Sequence, residues 1–114
     1  MIDLKTIYTQ IKKYAYIKEL HFSREMEYDV CHSFDLELVL CEYPCYDADD
    51  VLSLRFIGVK DLQINDFDNL FRIVLDIVPI FEYQLENLNY SVKEIENDMI
   101  SFKCKDIIIN SDHT

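Results

Sequence analysis

The cysteines and histidines near the middle of the chain are the residues best suited to bind a metal. Cys41 and Cys45 flank a proline turn, and Cys31 and His32 precede them. Three thiolates and one imidazole could hold zinc in a tetrahedral site. The spacing, however, is not that of the usual zinc ribbons or fingers. We therefore predict no metal and no cofactor, and interpret the cysteines as ordinary half-buried thiols on strands.

No set of nucleophile, base and orienting group can be assembled from these residues. The candidate bases His21 and His32 lie in a strongly acidic segment, where neighbouring carboxylates raise the pKa of a thiol and reduce its reactivity. Cys104 shares an apolar face with Phe102 and is assigned to the core. The acidic loop at residues 45–50 resembles half a calcium loop but lacks its central glycine and distal glutamate. We predict that the protein is not an enzyme.

The uneven distribution of charge is the strongest signal in the chain. The formal net charge is −11, and residues 25–50 contain no lysine or arginine. One interpretation is a solvated strand face that keeps the protein soluble and blocks edge pairing. The other is a docking surface for a basic protein, since concentrated charge speeds encounter and adds specificity. The predicted partner-binding residues are Glu25, Glu27, Asp29, Asp35, Glu37, Glu42, Asp47, Asp49 and Asp50.

The same acidity argues against other partners. A chain this negative repels nucleic-acid phosphates and anionic membranes. It also shows no apolar run long enough for a membrane span and no signal-peptide pattern. We therefore expect a cytoplasmic protein with reduced thiols, and neither nucleic acid nor membrane as a partner.

The periodicity predicts one helix followed by strands. Residues 3–13 repeat apolar side chains at helical spacing, whereas residues 16–40 alternate apolar and acidic side chains. The alternation leaves open whether residues 16–28 form one bent strand or two. If both apolar sets of the first hairpin face inward, a three-residue loop is required around residues 31–33. That register sets Asp29 opposite an acidic residue.

The second half predicts further short strands. The segments Val51–Leu62 and Ile100–Ile107 share one pattern, in which alternation breaks at a Lys-Asp pair, as at a bulge. A strand is predicted over residues 70–78, and residues 90–96 and 99–109 predict a hairpin. With 114 residues and half of them apolar, we expect a single domain over 1–114. The predicted fold is α+β: an N-terminal helix packed on a mostly antiparallel sheet or sandwich of six to eight strands.

Four segments resemble small bacterial immunity proteins, and the nearest pattern is that of the immunity protein fifty family. The resemblance covers roughly residues 15–110 and depends on these segments: Ile17-Lys18-Glu19-Leu20-His21-Phe22, Phe34-Asp35-Leu36-Glu37-Leu38 with Glu42-Tyr43-Pro44, Leu52-Ser53-Leu54-Arg55-Phe56-Ile57-Gly58-Val59-Lys60-Asp61-Leu62 and Ile100-Ser101-Phe102-Lys103-Cys104. Such proteins accompany polymorphic toxins and contact-dependent inhibition systems. The resemblance implies a cytoplasmic protein that binds and blocks a toxin, often a nuclease, and it implies no catalytic residues.

The predicted function is therefore an immunity-type protein that neutralises a cognate toxin through an acidic surface. The expected partner is a basic protein, and a homo-oligomer is left open. The alternative is a non-enzymatic scaffold domain that associates with itself through a sheet edge. Sedimentation in low and high salt separates the two, since the scaffold would be oligomeric by itself.

Overall fold

The computed structural model describes the backbone at residues 4–27, 30–42, 51–65, 68, 71–80 and 88–112. Within these ranges it describes all side chains except those of residues 25–27, 30–33 and 111–112. One helix precedes seven strands: α1 (Leu4–Lys13), β1 (Tyr16–Glu27), β2 (Val30–Cys41), β3 (Val51–Ile64), β4 (Leu75–Pro79), β5 (Tyr90–Glu94), β6 (Ile100–Cys104) and β7 (Asp106–Asp112). No helix in the described ranges has the length and apolar character needed to cross a membrane.

The strands form one antiparallel sheet that curls toward closure. The order is β1-β2-β3-β6-β5-β4, and β7 pairs with the first half of β3. The outermost strands approach each other at one end, because Tyr16 forms an isolated bridge with Arg72, just before β4. Two backbone hydrogen bonds flank this bridge: Ile17 N–H donates to Phe71 O at 2.8 Å, and Ile73 N–H donates to Ala15 O at 2.8 Å. The α+β prediction, with a helix on an antiparallel sheet, is confirmed.

The helix packs on the inner face of this sheet and also covers one sheet edge. Ile7 and Ile11, four residues apart, are both buried in the core. The Tyr8 hydroxyl accepts a hydrogen bond from Ile77 N–H at 2.8 Å and lies 2.7 Å from Ile77 O. Tyr8 thereby satisfies backbone groups of β4, an outer strand that would otherwise expose them.

The first hairpin differs from the prediction in its loop but agrees in its final register. The strands are separated by residues 28–29, since Glu27 pairs with Val30, so the predicted three-residue loop at 31–33 is wrong. A register shift between Arg24 and Met26 then restores the parity that apolar packing requires. Residues 16–27 consequently form one irregular strand. The expected contact between acidic residues is absent from the described pairs, because Asp35 lies opposite Ser23 and Glu37 lies opposite His21.

The two similar segments of the sequence turn out to be neighbours in the sheet. Both predicted irregularities are present: the β3–β6 register shifts between Lys60 and Gln63, and Lys105 separates β6 from β7. Lys105 N–H donates to Ile57 O at 2.8 Å, so the second break lies beside Ile57, whereas the first lies opposite the stretch from Ser101 to Lys103 on β6. The sheet therefore bends here. The first half of β3 pairs with β2 and β7, and its second half pairs with β6.

The remaining strands follow the prediction with one correction. The hairpin of β5 and β6 is confirmed, and Val92 pairs with Phe102 within it. The predicted strand over 70–78 is shorter, because regular pairing with β5 begins only at Leu75. Residues 71–73 instead contact the start of β1 through the bridge described above. The segment 82–89, left open between a helical turn and a loop, lies mostly outside the described residues.

Candidate partner-binding surface

The nine predicted acidic residues fall into three groups. The side chains of Asp35, Glu37 and Glu42 are described. Glu25 and Glu27 lie on β1, but only their backbone is described. The other four, Asp29, Asp47, Asp49 and Asp50, lie outside the described residues.

Asp35 and Glu37 are engaged within the sheet. One Asp35 carboxylate oxygen lies 3.0 Å from an Arg55 guanidinium nitrogen, and the other accepts the Gly58 N–H at 3.0 Å. Glu37 accepts a hydrogen bond from the Ser53 hydroxyl at 2.9 Å. These carboxylates therefore join β2 to β3. The negative charge of Asp35 is already compensated by the protein's own arginine.

The acidic segment is also divided between the two ends of β2. Glu27 pairs with Val30 at the hairpin end, whereas Glu42 follows Cys41 at the other end. Twelve residues of extended strand place these ends roughly 36 Å apart. The structure thus brings Glu25 and Glu27 together at the hairpin end and keeps Glu42 away from them.

Charge is balanced over the side chains that the structure describes. They include eleven carboxylates and all eleven lysines and arginines of the chain. The formal excess of −11 therefore corresponds to residues outside that set, among them Glu25, Glu27 and Asp29.

An aromatic patch lies next to the hairpin end. Phe22 is 50% exposed although it shares the inner face with buried Leu36, its partner on β2. The ring of Phe34 lies 6.0 Å from that of Phe22, and the Arg24 guanidinium carbon lies 5.6 Å from the Phe34 ring centroid. A shallow groove of about 290 Å³ is lined by Phe22, Ser23, Arg24, Phe34 and Leu62. Aromatic side chains and arginine are the residues most enriched at the energetic centres of protein interfaces.

Sequence reasoning assigned Phe22 to the buried face and so missed this patch. The side chain does lie on the inner face, but the covered core ends before it. The available signal was Arg24, which has the same parity as Leu20 and Phe22. A charged residue at an apolar position marks the point where the inner face meets solvent.

The outer side of β1 is the second feature of this surface. Beyond Ile17, the only backbone partner that the described residues provide for β1 is β2. The stretch Glu19–Arg24 therefore has one unpaired edge within the described part of the protein. Such an edge presents N–H and C=O groups that can pair with another strand.

The cysteines differ from the expectation of reduced thiols. Cys41 is disulfide-bonded, and its bonding partner lies outside the described side chains. Cys104 is a buried free thiol, and burial, with a smaller contribution from Asp106, raises its pKa to about 12. Among the described residues no three histidine, cysteine or acidic side chains are grouped as metal ligands. Neither described sulfur is thus an available thiolate ligand or nucleophile.

Comparison with known proteins returns one family. A search of curated proteins and a search of solved structures give no significant match. The model of the family described as immunity protein PIM8 matches residues 1–110. The resemblance to immunity proteins is thereby confirmed, and the model that matches is that of PIM8, whereas the strand patterns were likened above to immunity protein fifty. The match covers the helix and nearly all of the sheet, and the chain therefore belongs to the immunity protein family PIM8.

Proposed function

We propose that this protein binds and neutralises a cognate toxin, and that the hairpin end of β1 and β2 is the surface that does so. Membership of an immunity protein family is the observation that carries the proposal. The exposed Phe22, beside an acidic run that contains no lysine or arginine between Arg24 and Arg55, supports the location. The protein acts by occupying the toxin and performs no catalysis.

The acidic run selects a basic partner. Lysine and arginine on a toxin domain are attracted to Glu25, Glu27 and Asp29, and this attraction raises the rate of encounter. A nuclease is a suitable partner, since its substrate groove is positive and a carboxylate can compete there with phosphate. Nucleic acid itself is repelled. The site of action is the cytoplasm, where such a toxin meets its substrate.

The predicted acidic residues have different roles in this proposal, according to whether they lie in the middle of β2 or near one of its ends. Asp35 and Glu37 join the strands and are not assigned to the partner. Glu25, Glu27 and Asp29 are assigned to it because they adjoin the aromatic groove along the chain. Glu42 lies beyond the other end of β2, and the experiment below compares the two ends.

The test is rescue of growth. A candidate toxin domain, taken from the C-terminal part of the protein that the upstream open reading frame encodes, is expressed with either the wild-type protein or a variant. The wild-type protein should restore growth, and purified proteins should form a complex. Reversal of charge at the hairpin end (Glu25→Lys with Glu27→Lys) should weaken that complex about tenfold, because two attractive contacts become repulsive.

The matched control is a reversal of equal size at the other end of β2 (Glu42→Lys with Asp47→Lys). It should leave affinity within about twofold, since Glu42 lies at the end of β2 away from the aromatic groove. A complex that tolerates both reversals would show that the acidic run is not the interface. Growth arrest despite a folded wild-type protein would show that the protein does not neutralise this toxin. Stable self-association without any toxin complex would favour the scaffold alternative.

A further inference from the structure

Within the described residues, one outer edge of the sheet is covered by side-chain contacts and the other has no second strand beside it. On β4, Tyr8 satisfies Ile77, and Pro79 has no N–H to offer. On β1, the backbone hydrogen bonds to the segment 71–73 that the described residues show are those at Ala15 and Ile17. The stretch Glu19–Arg24 continues past that point with only β2 beside it in the described part of the chain. Exposed edges of this length are usually blocked, so an open one needs an explanation.

We infer that an extended segment of the toxin pairs with the outer edge of β1 between Glu19 and Arg24 and adds a further strand to the sheet. This inference rests on the proposed function and names the way in which the partner binds. Main-chain hydrogen bonds along the edge supply affinity, and alternate side chains supply specificity.

The side chains of β1 indicate which strand would fit. Phe22 and Arg24 point to the inner face, and His21 and Ser23 point to the outer face. The partner residue directly opposite Phe22 would lie about 5 Å from it between Cβ atoms. An aromatic or β-branched side chain there would cover the exposed half of Phe22 and extend over the groove. The partner strand should carry lysine or arginine toward the end that reaches Glu25 and Glu27.

Charge also argues against a second copy of this chain as the occupant. An antiparallel pair of β1 strands centred on Phe22 would set Glu19 of one copy opposite Glu25 of the other. Like charges directly opposite each other destabilise a strand pair. Two chains of formal charge −11 would in addition repel one another. A basic toxin segment would avoid both the repulsion between opposite glutamates and the repulsion between two acidic chains.

The outer side of β7 is the competing edge, since the described residues pair β7 only with β3. It exposes Ile108 (44% exposed) on the outer face of the sheet, whereas the aromatic groove lies beside β1 and is lined by Phe22, Ser23 and Arg24. β1 combines the open edge, the aromatic groove and the acidic residues. The experiment below therefore measures the exchange of backbone amides on both β1 and β7.

The test is amide hydrogen exchange measured by NMR, residue by residue, on the free protein and on its complex with the toxin domain. In the free protein, the amides of 19–24 that face β2 should exchange slowly and the alternate ones rapidly. In the complex, those alternate amides should slow at least tenfold, because a new strand accepts their hydrogen bonds. Amides of β7 should not change.

Phe22→Ser provides a second readout, with Phe71→Ser as the matched control. The two rings are 50% and 52% exposed, and each contacts one other aromatic ring, so the loss of apolar surface is comparable. Phe22→Ser should weaken the complex at least tenfold and Phe71→Ser less than twofold, with folding of both checked by urea unfolding.

The outcomes separate this inference from the proposed function. A complex that forms without alternate protection in 19–24, or with protection on β7 instead, overturns strand addition and leaves toxin binding intact. Protection that is already present in the free protein and grows with its concentration identifies a second copy as the occupant and also overturns the inference. If no complex with the toxin domain forms, both strand addition and the proposed toxin binding are contradicted.

Discussion

At the scale of single residues, Glu94 shows how a buried charge can organise a turn. Its side chain is 1% exposed and accepts backbone N–H groups of Val74, Glu96 and Asn97 at 3.1, 3.1 and 2.7 Å. Burial alone would raise the pKa of Glu94, but these hydrogen bonds, with one from Met99, hold its pKa below the ordinary value. The carboxylate thus joins the β5–β6 turn to the chain that leads into β4.

Glu94→Gln should lower the free energy of unfolding by about 2 kcal/mol at pH 7, because the amide loses one acceptor oxygen and the charge that strengthens these bonds. The pKa of Glu94 is depressed in the folded state, so its stabilising effect is present above the unfolded value of about 4.3 and disappears as pH falls through the folded value. Urea unfolding at pH 7 and pH 3 should therefore show a smaller difference between variant and wild type at the lower pH. Glu96→Gln, an exposed change in the same turn, is the control and should have little effect at either pH. A difference that is constant with pH would contradict the assigned role of the charge.

At the scale of elements, the bend in β3 depends on Gly58. Its φ is +65°, in the region that side chains disfavour, and a Cβ there would lie 2.7 Å from Lys105 Cδ. Gly58 N–H also donates to Asp35, so the bend, the neighbouring strand and the break at Lys105 share one small region. The only glycine of the chain is thus placed where the sheet changes direction.

Gly58→Ala should destabilise the protein by about 1–2 kcal/mol, chiefly through the positive φ. Lys105 is flexible and can move away from the added methyl group, so the steric contact contributes less. Thermal unfolding should show a lower midpoint, and the double variant with Lys105→Ala should recover only a small part of the loss. Full recovery in the double variant would show that crowding, and not backbone conformation, makes glycine necessary.

At the scale of the whole molecule, the formal net charge of −11 coexists with local ion pairs on the sheet. The described side chains carry equal numbers of positive and negative groups, and several pair locally, as Arg72 does with Glu96 and Lys103 with Asp61. Screening affects such short-range pairs less than it affects the approach of a distant basic partner. The net charge should therefore influence association more than folding.

Under the proposed function, association with the toxin domain should slow about tenfold when ionic strength is raised from roughly 0.02 M to 0.5 M, while dissociation changes much less. Stopped-flow or surface-based kinetics would measure both rates, and the free energy of unfolding of the free protein over the same salt range is the control. An association rate that is independent of salt would show that the acidic residues do not steer the partner.

Alternation and helical spacing were sufficient to predict the helix, the antiparallel sheet and both bulges, because each is encoded by neighbours in the chain. The charge asymmetry was likewise contained in the composition, and the kinship to immunity proteins was contained in the strand patterns. Only the tertiary structure showed that Asp35 is paired with Arg55, that Glu27 and Glu42 lie at opposite ends of β2, and that Phe22 extends beyond the covered core. These features depend on which strand lies beside which and on where the helix stops covering the sheet, and contacts between distant residues leave no periodic signal in the sequence.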